Sequence, residues 1–405
     1  MIFLLPCYLV RFSLGGIPTT MLEIMIYVLF LSWLIRHKKN LNIVTAIKNF
    51  FAQGRMLPLG LALLLLGVVL STAYSSDLRT SLGALKGWFI DPFLFFLVFT
   101  SEIKERKQTA HALASYILSA SAVALIGILY SINNTLTFDG RLRAFYESPN
   151  YLAMYLAPAF LFAIYFFVNR RDAEDSPCAS KGLSSPLIRK LSRNITAQSL
   201  MLMVLAGALF MTKSYGAILG IGAALVCLLL KRYRTDKKYL PASNRKTLLA
   251  LAAVALVIFS LLSYQKYAQI TSAGERSSLS SRFMIWDASM EMINDSPFFG
   301  IGPGTFQEVY LDYQQRFTTP YLEWAVPQPH NTLLAFYLQS GMVGFIGFVL
   351  ILLFLCKRAR TDDVVFLFLV YFLVHGLVDT LYWKNDLAMI FVLVAGIGYL
   401  PLRKK

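Results

Sequence analysis

The chain has 405 residues, of which 57% are hydrophobic and 15% charged, with a mean hydropathy of +0.59. Soluble domains carry about 25% charged residues, so this composition excludes a soluble globular protein and points to an integral membrane one. The net charge of +16 invites a nucleic-acid reading, but where the charges fall excludes it.

Apolar runs of about 20 residues cross a bilayer as helices. In chain order such runs occupy residues 1–12, 18–36, 56–73, 83–101, 110–131, 150–168, 197–212, 214–231, 247–264, 331–356, 363–380 and 386–402. The first has the length of a signal-peptide core but no small-residue cleavage site after it, and reads as a short or truncated span. With the N-terminus inside, the inner loops collect 27 of the 38 Lys and Arg, among them Arg36, Lys38, Lys104, Arg106, Arg170, Arg171, Lys231, Arg232, Lys357, Arg358 and Arg403. The positive-inside rule accounts for that bias. The expected fold is all-α: one polytopic membrane domain over 1–405, with about twelve transmembrane helices and both termini cytoplasmic. One long extracytoplasmic loop, 265–330, lies between the ninth and tenth. The inner loop 169–196 is a polar connector.

Basic residues remain on the outer side, and positive charge there calls for a local explanation. They include Arg141 and Arg143 in the segment 131–149, and Lys266, Arg276, Arg282 and Arg316 in the long loop. Within that loop Phe283, Trp286, Met290 and Ile293 recur at helical spacing, with Asp287, Glu291 and Asp295 on another face. The pattern is an amphipathic helix, either lying on the outer membrane surface or packed on the bundle. Ser296-Pro297 ends it, and Gly300–Gly304 (GIGPG) makes a tight loop. That loop lacks the Lys-Ser/Thr of a P-loop and is a weak phosphate cradle.

His330 closes the long loop. Pro329 disfavours helix at Gln328, and the apolar run after Asn331 begins one. A histidine in the first turn of a helix meets the positive dipole end, which favours neutral imidazole, the form that accepts a proton. The competing reading is a polar interface residue that bonds the loop. Arginine forks at this face would suit the phosphates of a lipid diphosphate; solvated or headgroup contact is the plainer reading for any one of them. His375 and Asp379, four apart on one helix, and Lys86 and Asp91 within one span read as internal hydrogen-bonding partners or as a proton relay. Trp324, Tyr310, Tyr313 and Tyr321 suit sugar stacking or an interface belt. No His-rich or Cys-rich spacing suggests a metal, and the four cysteines suggest no disulfide framework.

Five stretches, RLRAFYESPNYLAMYLAP (141–158), TKSYGAILG (212–220), SRFMIWDASMEMINDSPFFGIGPGTF (281–306), PQPHNTLLAFYLQSGMVGFIGF (327–348) and HGLVDTLYWKNDLA (375–388), resemble the O-antigen ligase/O-antigen polymerase superfamily of bacterial membrane glycosyltransferases. The likeness runs from about residue 80 to the end. It implies an enzyme of the inner membrane that takes a glycan from undecaprenyl diphosphate, without metal, nucleotide or other cofactor. The acceptor would be lipid A–core in a ligase, another lipid-linked glycan in a polymerase, or protein in related transferases. It also implies His330 as the base and Arg282, with Arg141 or Arg143, as diphosphate ligands. Some relatives carry arginine where this chain has Lys213, which could serve only as a point charge. A transporter of lipid-linked glycan is the reading from another class; it would place charges at the midplane and show two related halves.

Overall fold

The computed structural model describes residues 1–38, 50–51, 54–133, 135–169, 194–235, 278–316 and 326–400. The run at 247–264, together with Lys266, Arg276, Tyr321 and Trp324, lies outside the described residues. The helices are α1 (Met21–His37), α2 (Met56–Ala73), α3 (Leu78–Leu85), α4 (Asp91–Glu102), α5 (Arg106–Ile132), α6 (Pro149–Val168) and α7 (Ile195–Thr212). They continue with α8 (Tyr215–Thr235), α9 (Ser278–Asp295), α10 (Phe306–Gln314), α11 (Thr332–Ala359), α12 (Asp363–Gly376) and α13 (Asn385–Tyr399). Among the described residues, seven helical segments are long and apolar enough to cross a membrane, counting α3 and α4 as one; α12 and α13 are apolar but shorter.

The boundaries follow from caps. Thr20 and Glu23 form a capping box on α1. Ser148 caps α6 with Pro149 at its first position, Asn194 caps α7, and Asp362 caps α12. A π-helical turn, Lys86–Ile90, joins α3 to α4. Lys86 pairs there with Glu23 at 2.8 Å and donates to the Pro18 carbonyl, which ties α1 to the turn. This favours the internal-partner reading of that lysine.

The N-terminal segment departs from the expected all-α fold. Ile2–Leu9 is a 3₁₀ helix holding Pro6, followed by an antiparallel hairpin, β1 (Arg11–Leu14) and β2 (Ile17–Thr20). Eight residues at roughly 2.0 Å each reach about half of a ~30 Å hydrocarbon core, so this is not a full span. Gly15 and Gly16, both at positive φ, make the tight turn that a two-residue hairpin needs.

The α2–α11 crossing sits at the centre of the bundle. A Cβ on Gly67 would lie 2.1 Å from the Gly344 nitrogen, and one on Gly347 would lie 2.3 Å from the Leu64 nitrogen. Small residues are what let helix backbones approach so closely in a membrane protein. Around the crossing packs an aromatic core of Phe336, Phe348, Phe372, Tyr382, Trp383 and Phe391, with Phe336 stacked on Phe348 at 3.6 Å.

At one end the bundle carries a small cap with its own core: Ile285, Ala288 and Met292 of α9, Phe306 and Tyr310 of α10, and Ile301, Val326 and Leu338. The buried stripe of α9 is therefore offset from the apolar stripe noted above. Phe283 and Met290 point outward, about half exposed, so α9 packs on one face and offers apolar side chains on another. On its acidic face Arg316 bridges Glu291 and Asp295 and lies over the Tyr313 ring, which gives that arginine a structural explanation. Hydrogen bonds from Tyr313 and Arg316 hold the Asp295 carboxyl below its ordinary range.

A break in α11 clamps the cap to the bundle. Gly341 has φ 63° and ψ −178°, which frees carbonyls in the preceding turn. The Ile301 N–H donates to Leu338 O at 2.7 Å, and Met342 N–H donates to Phe298 O. Any Cβ on Gly300 would sit 2.1 Å from Leu338 O, and one on Gly302 2.4 Å from Ser75 Oγ. The GIGPG loop is thus filled by protein and is no phosphate cradle.

Candidate active site

His330 stands just before α11, one residue ahead of the N-cap rather than in the first turn. Asn331 is the cap: its Oδ1 accepts from Leu333 N and Leu334 N, and its Nδ2 donates to Leu377 O. The dipole argument for His330 accordingly weakens, and its nearest partner takes over. His330 Nδ1 lies 3.1 Å from Asp379 Oδ1. The backbone holds His330 in the left-handed region, φ 49°, at a cost on the order of 1–3 kcal/mol. Bonds on either side keep it there: Trp286 Nε1 donates to Pro329 O, and Asn331 to Leu377 O.

The partner segment is gripped as firmly. Thr332 Oγ1 donates to Asp379 O and accepts from Leu381 N; Thr380 N–H donates to Asp379 Oδ1; Arg282 Nε donates to Val378 O at 2.9 Å. Asp379 is nearly buried, whereas the His330 side chain keeps 30% of its surface exposed. With Asp379 accepting the Nδ1 hydrogen, Nε2 is the nitrogen left to accept a proton. The sequence reading had Asp379 only as a partner of His375; its role beside His330 was missed.

Arg141 reaches the same end of the bundle from the loop after α5. Its Nε donates to Thr212 O at 2.8 Å and its Nη2 to Asn150 Oδ1 at 2.6 Å, and Asp139 lies 3.8 Å away. Burial lowers its pKa from the ordinary value, opposed by Asp139 and Asp379. Arg282 is within electrostatic reach of both Arg141 and Asp379. Lys213 ends α7 in the left-handed conformation and points its Nζ at Asp139 O, 3.5 Å away. Arg141, Lys213 and Arg282 thus share one neighbourhood with the carboxylates of Asp139 and Asp379, a cationic excess that suits an anionic ligand. Arg143 is exposed, and among the described residues no side-chain contact brings it to this group.

The expected sugar-stacking residues divide. Tyr310 is fully buried on Phe306 inside the cap core and faces no ligand; Tyr313 bonds Asp295 at 2.6 Å. Among the described residues no group of three or more His, Cys, Asp or Glu is placed to hold a metal ion.

A polytopic helical membrane protein with an acid–histidine pair and clustered cations at one end of its bundle is the class defined so far. Residues 200–349 match the family model described as O-Antigen ligase, a stretch that runs from α7 through the cap into α11 and holds Lys213, Arg282 and His330. Over that stretch, which is less than half of the chain, the protein is similar to the O-antigen ligase family. No curated protein matches the chain.

Proposed function

We propose that the protein transfers a glycan from undecaprenyl diphosphate to a hydroxyl of lipid A–core at the outer face of the bacterial inner membrane. The observation that carries this reading is the His330–Asp379 contact at 3.1 Å, partly exposed on the histidine side and flanked by Arg282 and Arg141. The ligase family match supports the reaction class.

In this reading the acceptor hydroxyl gives its proton to His330 Nε2 while its oxygen attacks the anomeric carbon. The bond from that carbon to the diphosphate oxygen breaks, and the electron pair leaves with the diphosphate. Arg282 and Arg141, with Lys213 at the rim, stabilise the charge that develops on the leaving oxygen, so no general acid is needed. Asp379 stabilises the imidazolium, which then returns its proton to water. A single displacement inverts the anomeric centre. Arg143, on the exposed loop, is available to the glycan or to lipid headgroups.

The test is transfer by the purified full chain, given undecaprenyl-diphosphate-linked oligosaccharide with and without lipid A–core. Wild type should transfer only with core present, and His330→Ala should lower kcat by about 10²–10⁴, the range of a general base, while remaining folded. Normal transfer by His330→Ala rejects the mechanism. Lengthening of donor chains without core identifies a polymerase, and movement of donor without transfer identifies a transporter.

A further inference from the structure

Behind the His330–Asp379 pair lies a second histidine that the transfer reaction above does not use. His375, in the last turn of α12, is 1% exposed. Its Nδ1 lies 2.9 Å from the Tyr371 hydroxyl one turn earlier, and its Nε2 faces Asp379 Oδ2 at 4.0 Å. Among the described residues Nε2 has no hydrogen-bond partner. The Asp379 carboxylate is filled unevenly: Oδ1 takes both His330 Nδ1 and the Thr380 N–H, while Oδ2 looks toward His375.

Electrostatics selects the tautomer. With hydrogen on Nδ1, the Nε2 lone pair would face a carboxylate oxygen, and the Tyr371 hydroxyl hydrogen would need another acceptor. With the hydroxyl donating to Nδ1, the hydrogen sits on Nε2 and points at Asp379. A buried N–H left unpaired is costly, so an N–H aimed at an under-filled carboxylate is a bond ready to close. The helix behind it is shaped for this ring. A Cβ on Gly216 would lie 2.6 Å from His375 Cδ2 and 2.9 Å from Nε2, and one on Gly220 2.9 Å from Tyr371 Cδ2. Two glycines one turn apart on α8 therefore make the seat for Tyr371 and His375, which gives the YGAILG stretch a physical role.

We propose that Tyr371 and His375 are positioning residues for glycan transfer: the His375 Nε2–H, 4.0 Å from Asp379 Oδ2 at rest, closes onto that oxygen as substrate binds and keeps Oδ1 on His330 Nδ1. The four groups then run as one polarised series, from hydroxyl to imidazole to carboxylate to base. As the acceptor's proton arrives on His330, a carboxylate fixed at both oxygens stabilises the new charge without reorienting. This inference rests on the reading of His330 as the base.

The experiment measures kcat and donor KM with undecaprenyl-diphosphate-linked oligosaccharide and lipid A–core, alongside thermal melting, for His375→Leu, His375→Gln and the control His330→Ala. The leucine fills the seat without a donor, and the glutamine amide restores an N–H near Nε2. His375→Leu should lower kcat by about 10- to 100-fold, the range for removing an outer partner of an active-site ligand, with donor KM unchanged; His375→Gln should recover most of it. Wild-type kcat in His375→Leu, or equal loss in both variants, overturns the inference and leaves the base reading intact if His330→Ala is inactive. Full activity of His330→Ala removes the base reading and this inference together. If His375→Leu does not fold, Tyr371→Phe carries the test, since it removes only the hydroxyl that sets the tautomer. A several-fold loss of kcat at constant KM is then expected, and unchanged kcat overturns the proposal.

Discussion

At the scale of single residues, backbone strain marks the site. Among the described residues three non-glycines have positive φ: Ala144, Lys213 and His330, each at 49°. Ala144 and Lys213 lie in the segments around Arg141, where Leu142 N–H bonds Met211 O and the Arg141 side chain bonds Thr212 O. Such conformations persist only where surrounding bonds over-determine them, and His330 has those bonds on both sides. Its tautomer depends on Asp379, so Asp379→Asn is the sharpest single change. An amide can donate N–H to Nδ1, which moves the ring hydrogen to Nε2 and blocks the atom that accepts the proton. In a serine-protease triad the corresponding Asp→Asn change lowers kcat about 10⁴-fold; here a loss of about 10²-fold or more is expected, with donor KM little changed. Wild-type kcat in the Asn variant means that Asp379 does not set the tautomer. His330 was legible in the sequence because proline, histidine and a helix start sit together in PQPHN. Asp379 was not, because its contact joins residues 49 positions apart, and its i, i+4 relation to His375 offered a sufficient local partner.

At the scale of elements, hydropathy placed the described apolar helices to within a few residues, since span length and cap chemistry are both local properties, whereas α10 has no apolar run and was not expected. The 3₁₀ segment, the hairpin and the break at Gly341 were not legible. A 3₁₀ turn and a short α-helix share the same apolar run, and Gly341 looks like any glycine in a span until Phe298 and Leu338 are known to bond across it. The offset of the buried α9 stripe has a similar cause: a helix with apolar residues on two faces does not say which one the cap takes. The α2–α11 crossing is where one element most depends on another. Gly344→Val would push a branched side chain into Gly67 and Ser340, whose atoms lie within 3.5 Å of even a Cβ there. Overpacking of this kind costs about 1–3 kcal/mol or more, and it also shifts α11, whose N-cap Asn331 adjoins His330. A lowered melting temperature in detergent together with reduced transfer is the expected result. A variant that melts like wild type shows that the two helices separate at no cost.

At the scale of the whole molecule, the two ends of the bundle differ in chemistry, and the difference predicts its orientation. One end gathers Arg36 with Glu102, Lys231 and Arg232 on Asp363, and Arg358 on the carbonyls of Tyr399 and Leu400. The other gathers His330, Asp379, Arg141, Lys213 and Arg282, with Glu147 bridging Arg11 of the hairpin to Lys384. Loop basic residues favour the cytoplasm, and Lys38, Lys104, Arg106, Lys107, Lys357 and Arg360 flank the first end, so the first end should face inward. The measurement is labelling of Arg143→Cys and Arg360→Cys, both exposed, in a chain whose four native cysteines are replaced by serine. A membrane-impermeant maleimide added to intact spheroplasts should modify position 143 at once and position 360 only after permeabilisation. The opposite pattern would put His330 on the cytoplasmic side, where no acceptor of the outer leaflet could reach it, and would end the proposed reaction whatever the point mutants do.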